Sequence, residues 1–592
     1  GGTAMNRYRF RLALMISLLT AILPLLARAE PPPQQAIVHP LVWEALQAEG
    51  EAEILVVLRA QADLSTAETL PTKEAKGRYV YETLRAVAKE SQQALRTMLD
   101  AQEIEYQSFY IVNALKLRAR GSLVQSLANR FDVAQILPNP WVKGVPDRPD
   151  EPASISNAAP QGIEDNIERV HAPRVWSLGF TGQGIVVAGQ DTGYDWQHPA
   201  LKNQYRGWDG ASADHNYNWH DAIHSGGGAC APDAPEPCDD LSHGTHTMGI
   251  IVGDDGGLNQ IGMAPGARWI GCRNMDEGFG TPATYMECFE FFLAPYPVDG
   301  SPGAGNPALA PHVVNNSWSC PTWEGCDADT LEAAVEALRQ AGIIVVVSAG
   351  NHGSACETVL YPPTTYQQSF SVGAFNHSTD QIASFSSRGP VTYGGETYVK
   401  PNIAAPGVSI KSSVPGSDYD WISGTSMAAP HVAGAVALLL SAAPGYAGQV
   451  DAIEAALTTS AESKSDSQCS DPTPPNNVWG WGILDTLAAV EWIAAGSLQG
   501  AVTDADDGAP VAGATVTARL VSGTAKPVTV TDLHGAYTLA LAAGDYDVTA
   551  DAAGYFPQTI ENVTVASGEV EIQDFALEPA QRTYFPIVYR SP

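Results

Sequence analysis

The spacing of hydrophobic and polar residues changes several times along the chain, and each spacing predicts a different kind of element. The first structured segment alternates apolar runs typical of strands with apolar positions repeated at helical spacing. Its predicted elements are, in order, the strand 53–58, the helix 73–105, the strand 109–117, the helix 121–131 and the strand 133–137. This β-α-β-α-β order predicts a small α+β domain over residues 50–146. Residues 146–160 are polar and proline-rich, which predicts a joint where proteolytic nicking concentrates.

A second region has the pattern of an α/β domain. Strand-like runs at residues 184–189, 313–315 and 342–347 alternate with helical stretches such as residues 329–341. This alternation predicts a mostly parallel central sheet in a domain that spans residues 160–495.

The C-terminal region has a third pattern, of short alternating strands separated by turn residues. The predicted strands are 500–503, 514–517, 537–539 and 546–549. Turn residues such as Asp506 and Gly508 lie between them, which is typical of a small antiparallel, all-β sandwich, and we expect this domain over residues 497–578. In the tail, 579–592, residues 584–590 indicate a terminal strand, with a surface-sorting signal as the alternative.

The N-terminus has the pattern of an exported protein. Arginines precede an apolar run over residues 12–26 that ends in a small-x-small sequence at Ala29. The run is shorter than the roughly 20 residues that span a bilayer, so residues 5–29 predict a signal peptide cut after Ala29. An N-terminal membrane anchor is the alternative. Residues 427–450 also lack charged side chains, but Pro430 and Pro444 interrupt them, which favours a buried helix.

Composition excludes some functional classes. The chain has 592 residues, with 32 basic against 65 acidic side chains and a net charge of −33 at pH 7. This charge disfavours binding to nucleic acid or to anionic membranes. Hydrophobic residues make up 44% and charged residues 16%, which is ordinary for globular domains and argues against wholesale disorder. The length predicts several domains.

All eight cysteines lie in the middle of the chain. An even number in an exported protein predicts disulfides, and the absence of any CxxC pair disfavours the competing zinc interpretation. Short loops favour Cys230 with Cys238 and Cys320 with Cys326. Cys272 with Cys288 is the next pairing, and Cys356 with Cys469 follows by elimination.

Two of four candidate motifs contain an acid and a base. The apolar run at residues 185–189 continues into Gln190 and Asp191, which predicts a carboxylate at the carboxyl end of a parallel strand, where open α/β sheets bind their ligands. The motif SHGTHTMG at residues 242–249 contains His243 and His246. A metal pair would need further ligands and the Glu of an HExxH motif, so zinc is disfavoured here.

The other two motifs contain a nucleophile and an amide donor. In SGTSMAAPHVAG, at residues 423–434, Ser426 begins an apolar helix whose backbone N–H groups stabilise negative charge. Ala428 stands where an α/β-hydrolase elbow needs glycine, which disfavours that fold. In SAGN, Asn351 follows an apolar strand, and its side-chain amide could donate to an oxyanion.

The order Asp, His, Asn, Ser resembles that of the subtilisin-like serine proteases (the subtilase family, peptidase S8) over the whole central domain, whereas chymotrypsin-like and lipase-like chains have other orders. YRGWDG at 205–210, YNW at 217–219 and VNNSWS at 314–319 resemble the bacillopeptidase F-like subgroup. The N-terminal domain (50–146) resembles the ferredoxin-like, inhibitor I9-like propeptides of the same family. The C-terminal domain (497–578) resembles carboxypeptidase-regulatory-like domains.

The resemblance implies a role for each candidate residue. His243 would take the proton of the Ser426 hydroxyl as the serine attacks a peptide carbonyl, and Asp191 would hold the imidazole in the useful tautomer. The Asn351 amide and the Ser426 N–H would form an oxyanion hole. An edge strand would bind the substrate backbone, and it would consist of Ser317, Trp318 and Ser319. A second segment would form a pocket wall, and it would consist of Ser348, Ala349 and Gly350.

We therefore expect a secreted, extracellular or cell-surface serine endopeptidase, made as a preproenzyme that removes its own propeptide by a cut between residues 145 and 163. We expect protein or peptide substrates, and we expect the propeptide to act as an intramolecular inhibitor and chaperone. We expect no binding to nucleic acid, no membrane span in the mature form and a monomeric state. No cofactor is expected for the chemistry, although relatives often use structural Ca²⁺. The alternatives are a catalytically silent scaffold whose sandwich binds a surface or glycan, an esterase using the same serine, and an N-terminal domain that stays attached as a structural unit.

Overall fold

A computed structural model of the chain describes residues 35–146, 162–226, 228–469, 472–494, 496–521, 528–541, 544–566 and 569–580. The predicted signal peptide (5–29), most of the proline-rich joint and the predicted tail strand (584–590) lie outside these ranges.

The N-terminal region is a five-stranded sheet covered by helices. From one edge to the other, the strands are Ile37–Val38, Val133–Pro138, Glu51–Leu58, Ala114–Arg120 and Tyr106–Phe109. All neighbours are antiparallel except the first pair. The helices are Pro40–Glu49, Lys73–Ser91, Gln93–Asp100 and Gly121–Ala128, with a 3₁₀ turn at Ser65–Thr69.

Two predictions for this region are wrong in detail. The predicted strand 109–117 is a hairpin, because residues 110–113 form a turn between two antiparallel strands. Tyr110 and Ile111 in this turn are buried, so their apolar character reflects packing and not a strand. The predicted long helix is divided at Gln92, whose side chain is fully buried and donates to the Phe109 carbonyl oxygen.

The central region contains the mostly parallel sheet that the alternating pattern predicts. In spatial order its strands are Gln381–Ile382, Phe370–Asn376, Ile344–Ser348, Val313–Asn316, Val186–Asp191, Arg268–Arg273 and Trp219–Asp221, and Ile403–Pro406 pairs with Phe370–Asn376. Only the Gln381–Ile382 pairing is antiparallel. The carboxyl ends of the middle strands, including Asp191 and Ser348, therefore lie along one edge of the sheet.

Helices lie on both faces of this sheet. They are Asp165–Arg169, Ala172–Ser177, His243–Val252, Pro282–Leu293, Glu332–Gln340, Thr425–Ala442, Val450–Thr459 and Thr486–Ala494. Short 3₁₀ turns are Lys202–Gln204, Pro302–Ala304, Pro307–Leu309, Thr322–Glu324 and Pro444–Tyr446. Within the described residues, Thr425–Ala442 is the helix long and apolar enough to span a membrane, but 89% of it is buried inside the protein, as expected for a core helix.

Short strand pairs connect the loops around the central sheet. They are Gly162–Ile163 with Asn259–Gln260, Val391–Tyr393 with Glu396–Tyr398, and Ile410–Val414 with Asp418–Ile422. A three-stranded sheet of Met275–Asp276, Phe279–Gly280 and Val142–Lys143 joins the N-terminal region to the central one. The chain leaving the N-terminal sheet thus becomes an edge strand of this small sheet.

Disulfides close four loops of the central region, and they join the pairs predicted from short loops and, for the last pair, by elimination. The bonds are Cys230–Cys238, Cys272–Cys288, Cys320–Cys326 and Cys356–Cys469. The first and third enclose loops of only a few residues, which stabilise a fold least in the chain-entropy model but fix the shape of the loop.

The C-terminal region is all β, as predicted. Gly496–Asp504 pairs with Ala536–Leu541 on one side and with Val570–Ile572 and Phe575–Leu577 on the other. A second sheet has the order Val528–Val530, Thr515–Leu520, Gly544–Asp551, Gln558–Val565. The prediction of a purely antiparallel sandwich is wrong at one place, because the pairings of Gly496–Asp504 with the last two strands are parallel.

Candidate active site

Asp191 and His243 form a buried pair. Asp191 is the last residue of strand Val186–Asp191, and His243 begins helix His243–Val252. The Nδ1 of His243 lies 2.7 Å from Oδ1 of Asp191, which also accepts a hydrogen bond from the backbone N–H of Thr192 at 2.8 Å. The Asp191 side chain is 1% exposed and that of His243 is 10% exposed. The carboxylate therefore fixes the imidazole while one ring nitrogen remains available.

Asp239 holds the loop that presents His243. Its Oδ1 accepts from the Thr192 hydroxyl (2.8 Å) and from the Ser242 N–H (3.0 Å). Its Oδ2 accepts from the N–H (2.9 Å) and hydroxyl (2.6 Å) of Thr245. Asp239 thus ties the turn after Asp191 to the start of the His243 helix. This role of Asp239 was not predicted from the sequence, although an Asp shortly before a helix start is a typical capping signal.

Ser426 lies at the start of helix Thr425–Ala442. Its N–H is among the first N–H groups of that helix, which have no acceptor within it and face the positive end of the helix dipole. Its hydroxyl donates to the Ser317 carbonyl oxygen at 3.1 Å, and the Ser317 hydroxyl donates to the Ser426 carbonyl oxygen at 2.9 Å. Ser317 therefore holds the serine in this structure, in which the hydroxyl does not donate to His243.

Asn351 is oriented by the residue that precedes Ser426. Its amide oxygen accepts from both the N–H and the hydroxyl of Thr425, each at 2.9 Å. The hydroxyl of Thr425 also accepts from the Gly350 N–H at 3.1 Å. With the oxygen held in this way, the NH₂ of Asn351 is left as the end available for an anion.

A cavity of about 320 Å³ brings these residues together. His243, Asn351 and Ser426 line it, although they are far apart in sequence. Val145 and Pro146, from the end of the N-terminal region, line the same cavity. The cleft at the edge of the sheet is therefore occupied in part by the protein's own chain.

The segment 142–146 crosses this cleft between two walls. On one side, the N–H of Gly144 donates to the carbonyl oxygen of Gly278 at 3.0 Å. On the other side, the carbonyl oxygen of Gly144 accepts from the Ser319 N–H, also at 3.0 Å. A Cβ added to Gly144 would lie 2.5 Å from Met275 Sδ and 2.7 Å from Tyr285 Oη, so a larger residue here would force one of these side chains or the segment to shift.

The structure agrees only in part with the prediction for the first substrate-binding segment, residues 317–319. Residues 317–319 follow strand Val313–Asn316 without a strand assignment, so the predicted edge strand is wrong as an element, although Ser319 does bind a backbone. Trp318 is buried and stacked on Tyr285, with ring centroids 4.0 Å apart.

The segment predicted to form a pocket wall consists of Ser348, Ala349 and Gly350. The Ala349 N–H donates to Val372 at 3.0 Å, and the Gly350 N–H donates to Thr425. These bonds stay within the central region, and the role of this segment as a pocket wall stays a prediction.

Other features near the site do not suit a metal ion. His246 contacts the Asp420 carbonyl oxygen through Nε2, away from the Asp191 pair of His243. The side chain of Asp240 is buried and paired with Arg273 at 2.6 Å. The carboxylates of Asp239 and Asp240 are both occupied by protein donors, so the pair does not fit Ca²⁺. Among the described residues, no group of three or more His, Cys, Asp or Glu side chains is arranged to hold a metal.

The arrangement has the parts of a nucleophilic acyl-transfer site. A hydroxyl lies at a helix start, a carboxylate-bound imidazole lines the same cavity, and an amide NH₂ and a helix N–H are available for an oxyanion. No step of this kind needs a metal or an organic cofactor.

Comparison with known families gives two matches. Residues 182–482, just over half of the chain, match the subtilase family (peptidase S8). Residues 497–578 match the carboxypeptidase regulatory-like domain.

Individual relatives include bacillopeptidase F of Bacillus subtilis (strain 168), which is 36% identical over 477 residues, or 76% of this chain and 32% of the relative. Subtilisin E of the same organism is 32% identical over 296 residues, or 49% of this chain and 65% of the relative. Subtilisin of Bacillus pumilus is 32% identical over 290 residues, or 48% of this chain and 87% of the relative. The chain thus spans about a third of bacillopeptidase F and under two thirds of subtilisin E.

Among solved structures, fervidolysin from Fervidobacterium pennivorans, a keratinolytic enzyme related to subtilisin, aligns with 91% of this chain and 80% of its own at a TM-score of 0.49 and 20% identity. The resemblance that the motif order and the bacillopeptidase F-like segments predicted is confirmed by the family match and by the 36% identity. The family match over residues 182–482 and the 32% identity to most of the B. pumilus subtilisin show that this chain belongs to the subtilase family of serine peptidases.

Proposed function

We propose that the chain is a serine endopeptidase that hydrolyses peptide bonds in proteins through an acyl-enzyme on Ser426. His243 acts as the base that takes the hydroxyl proton and then as the acid that protonates the leaving amine, and Asp191 orients the imidazole. The Asn351 NH₂ and the Ser426 N–H bind the oxyanion. The mechanism is the one worked out for subtilisin and its relatives and is taken over here.

The observation that carries this proposal is the shared cavity of His243, Asn351 and Ser426, in which a peptide segment of the same chain lies. A catalytically silent scaffold would not need the buried 2.7 Å pair of Asp191 and His243 or the doubly held amide of Asn351. In the active state, the Ser426 hydroxyl donates its hydrogen bond to the imidazole of His243 and no longer to the Ser317 carbonyl oxygen.

The proposal is tested by treating the purified protein with a fluorophosphonate and by comparing its turnover of a protein and of a short ester. We expect the label on Ser426 alone, no label in His243→Ala, and hydrolysis of the protein. Hydrolysis of the ester only would support an esterase, and a protein that neither labels nor hydrolyses would support a scaffold.

We also propose that the N-terminal region is a ferredoxin-like propeptide that inhibits the enzyme until it is removed. Its four longer strands have the order last, first, third, second, all antiparallel, with helices on the connections. Its hairpin turn is bound by the central region, since Glu290 accepts from the N–H groups of Tyr110 (2.5 Å) and Ile111 (3.0 Å). Its last described residues, Val145 and Pro146, line the cavity that contains Ser426, where they would hinder access of a substrate.

Export and self-processing complete the proposal. The pattern at residues 5–29 supports secretion of a preproenzyme, and the disulfides suit an oxidising compartment. The cut falls within residues 145–163, after which the mature enzyme acts as a monomer without a required cofactor. In a Ser426→Ala protein made without other proteases, the N-terminal region should stay attached; a mature N-terminus identical to that of the wild type would exclude self-processing.

A further inference from the structure

A loop closed by a disulfide extends one wall of the cleft. The Cys320–Cys326 bond closes a loop directly after Ser319, and the loop contains the 3₁₀ turn Thr322–Glu324. The N–H of Cys320 donates to the Pro362 carbonyl oxygen at 2.8 Å, and the N–H of Cys326 donates to Pro321 at 3.3 Å. The loop is therefore fixed at its base and internally, and its side chains hold defined positions.

Glu324 directs a carboxylate from this loop into the cleft. Its Oε2 accepts from the backbone N–H of Lys143 at 2.5 Å, next to the bond from the Ser319 N–H to the Gly144 carbonyl oxygen. These two contacts lie on the same side of the cleft segment, opposite Phe279, which pairs with Lys143 in the small sheet. Glu324 thus extends the wall of the cleft beyond Ser319. Ser319 donates its N–H to the segment, and Glu324 accepts from the segment with a side-chain oxygen.

The carboxylate of Glu324 is partly buried. Burial raises the pKa of Tyr361, and the negative charge of Glu324 raises it further. A carboxylate in a cleft is a strong acceptor for backbone N–H donors, because hydrogen bonds to a charged acceptor are about twice as strong as neutral ones.

We propose that Glu324 is a substrate-binding residue whose carboxylate accepts the backbone N–H of the peptide residue that takes the place of Lys143. The inference rests on the proposed function and extends it, since it assigns a binding contact outside residues 317–319 and 348–350. The contact involves a backbone group, so it binds peptides without regard to the side chain at that position. It exists before the reaction as well as during it, so it contributes to binding and not to the chemical step.

The first part of the test compares Glu324→Ala and Glu324→Gln with the wild type on one peptide. We expect Glu324→Ala to raise KM about tenfold with kcat within about twofold, and Glu324→Gln to raise KM less, because its amide oxygen still accepts. Thr322→Ala, an exposed change on the same loop, is the matched control and should leave both constants unchanged.

The second part removes the donor from the substrate. In a peptide series, each N–H of the four residues before the cut is replaced in turn by an ester oxygen, and the cleavage site is verified by mass spectrometry. At one position the wild type should lose about tenfold in kcat/KM, and Glu324→Ala should lose nothing further, which is the signature of a direct contact.

The outcomes separate this inference from the proposed function. If the wild type cleaves the parent peptide and no position shows coupling to Glu324, the function stands and the inference is wrong. If Glu324→Ala activates the full-length protein sooner but leaves the KM of peptides unchanged, the carboxylate serves only the N-terminal region, which also overturns the inference.

Discussion

The amide oxygen of Asn351 is held by Thr425 through two hydrogen bonds of 2.9 Å, one from the backbone N–H and one from the hydroxyl. Thr425 immediately precedes Ser426, so the residue that orients the amide of Asn351 is the chain neighbour of Ser426. Rotation of the amide would break both bonds, and the NH₂ is therefore fixed toward the cavity without a separate support.

Asn351→Ala should lower kcat by about 10²–10³ with little change in KM, because the amide binds an oxyanion that exists only in the transition state. The range is the one known for the corresponding amide of subtilisin. Steady-state kinetics on a peptide substrate measure both constants. A kcat within about threefold of the wild type, which is roughly 0.65 kcal/mol of barrier, would contradict the oxyanion role.

Thr425→Val should reduce kcat by about three- to tenfold, since it removes one of the two bonds that orient Asn351 and keeps the backbone N–H and the side-chain shape. Thr425→Ser, which retains the hydroxyl, is the control and should remain near wild type. Equal kcat values for the valine and serine variants would show that the hydroxyl of Thr425 does not position the amide.

The sequence predicts where Asp191 and Ser426 lie in the fold because each motif is local. Asp191 follows an apolar strand and Ser426 begins an apolar helix, so their positions at the sheet edge follow from the order of elements. Contacts between distant segments leave no such pattern. The bond from Lys143 to Glu324 joins residues 181 positions apart, and neither residue stands in a recognisable motif.

Gly144→Ala should weaken the hold of the cleft on segment 142–146, because the new Cβ would lie 2.5 Å from Met275 Sδ and 2.7 Å from Tyr285 Oη. In a protein with intact Ser426, activity should appear after a lag severalfold shorter than in the wild type. Gly121→Ala is the matched control, since nothing lies within 4 Å of its Cβ position. Equal lags for the two variants would show that segment 142–146 does not limit activation.

Glu290 should make the docking of the N-terminal region depend on pH. Burial raises the pKa of Glu290 from 4.5 to about 8 while Tyr110 and Ile111 cover it. The docked state then binds more protons than the undocked state between these values. Glu290 therefore contributes fully to docking below about pH 4.5, and this contribution is lost as the pH rises to about 8. The docking equilibrium constant should fall by at most about tenfold per pH unit.

Hydrogen exchange at the Tyr110 and Ile111 amides measures this effect in the full-length Ser426→Ala protein. Protection, corrected for intrinsic exchange, should fall from pH 5 to pH 8, and this component should be absent when Glu290→Gln is added. Lys73, whose pKa is lowered to about 7 by burial, titrates with the opposite sign, but it is present in both proteins and cancels in the comparison. The same pH dependence of protection in both proteins would show that Glu290 does not cause it.

The hairpin at residues 110–113 shows why part of the fold could not be predicted. Phe109, Tyr110, Ile111 and Val112 form an apolar run that is typical of a strand, but they are apolar because they pack against the central region. Periodicity registers burial and not its cause, so a turn buried between two regions is read as a strand. The placement of Glu290 over this turn was equally invisible in the sequence.

The central claim is that Ser426 is the nucleophile of a peptidase, and the most direct measurement is the hydrolysis of a peptide by purified Ser426→Ala protein. The account predicts that turnover falls to the background of the assay while the folded protein, judged by its circular dichroism and thermal unfolding, is retained, because only a hydroxyl that the chemistry requires has been lost. His243→Ala should be nearly as severe, since the members of such a site act as a unit. Peptide turnover by Ser426→Ala at a rate comparable to the wild type would contradict the account.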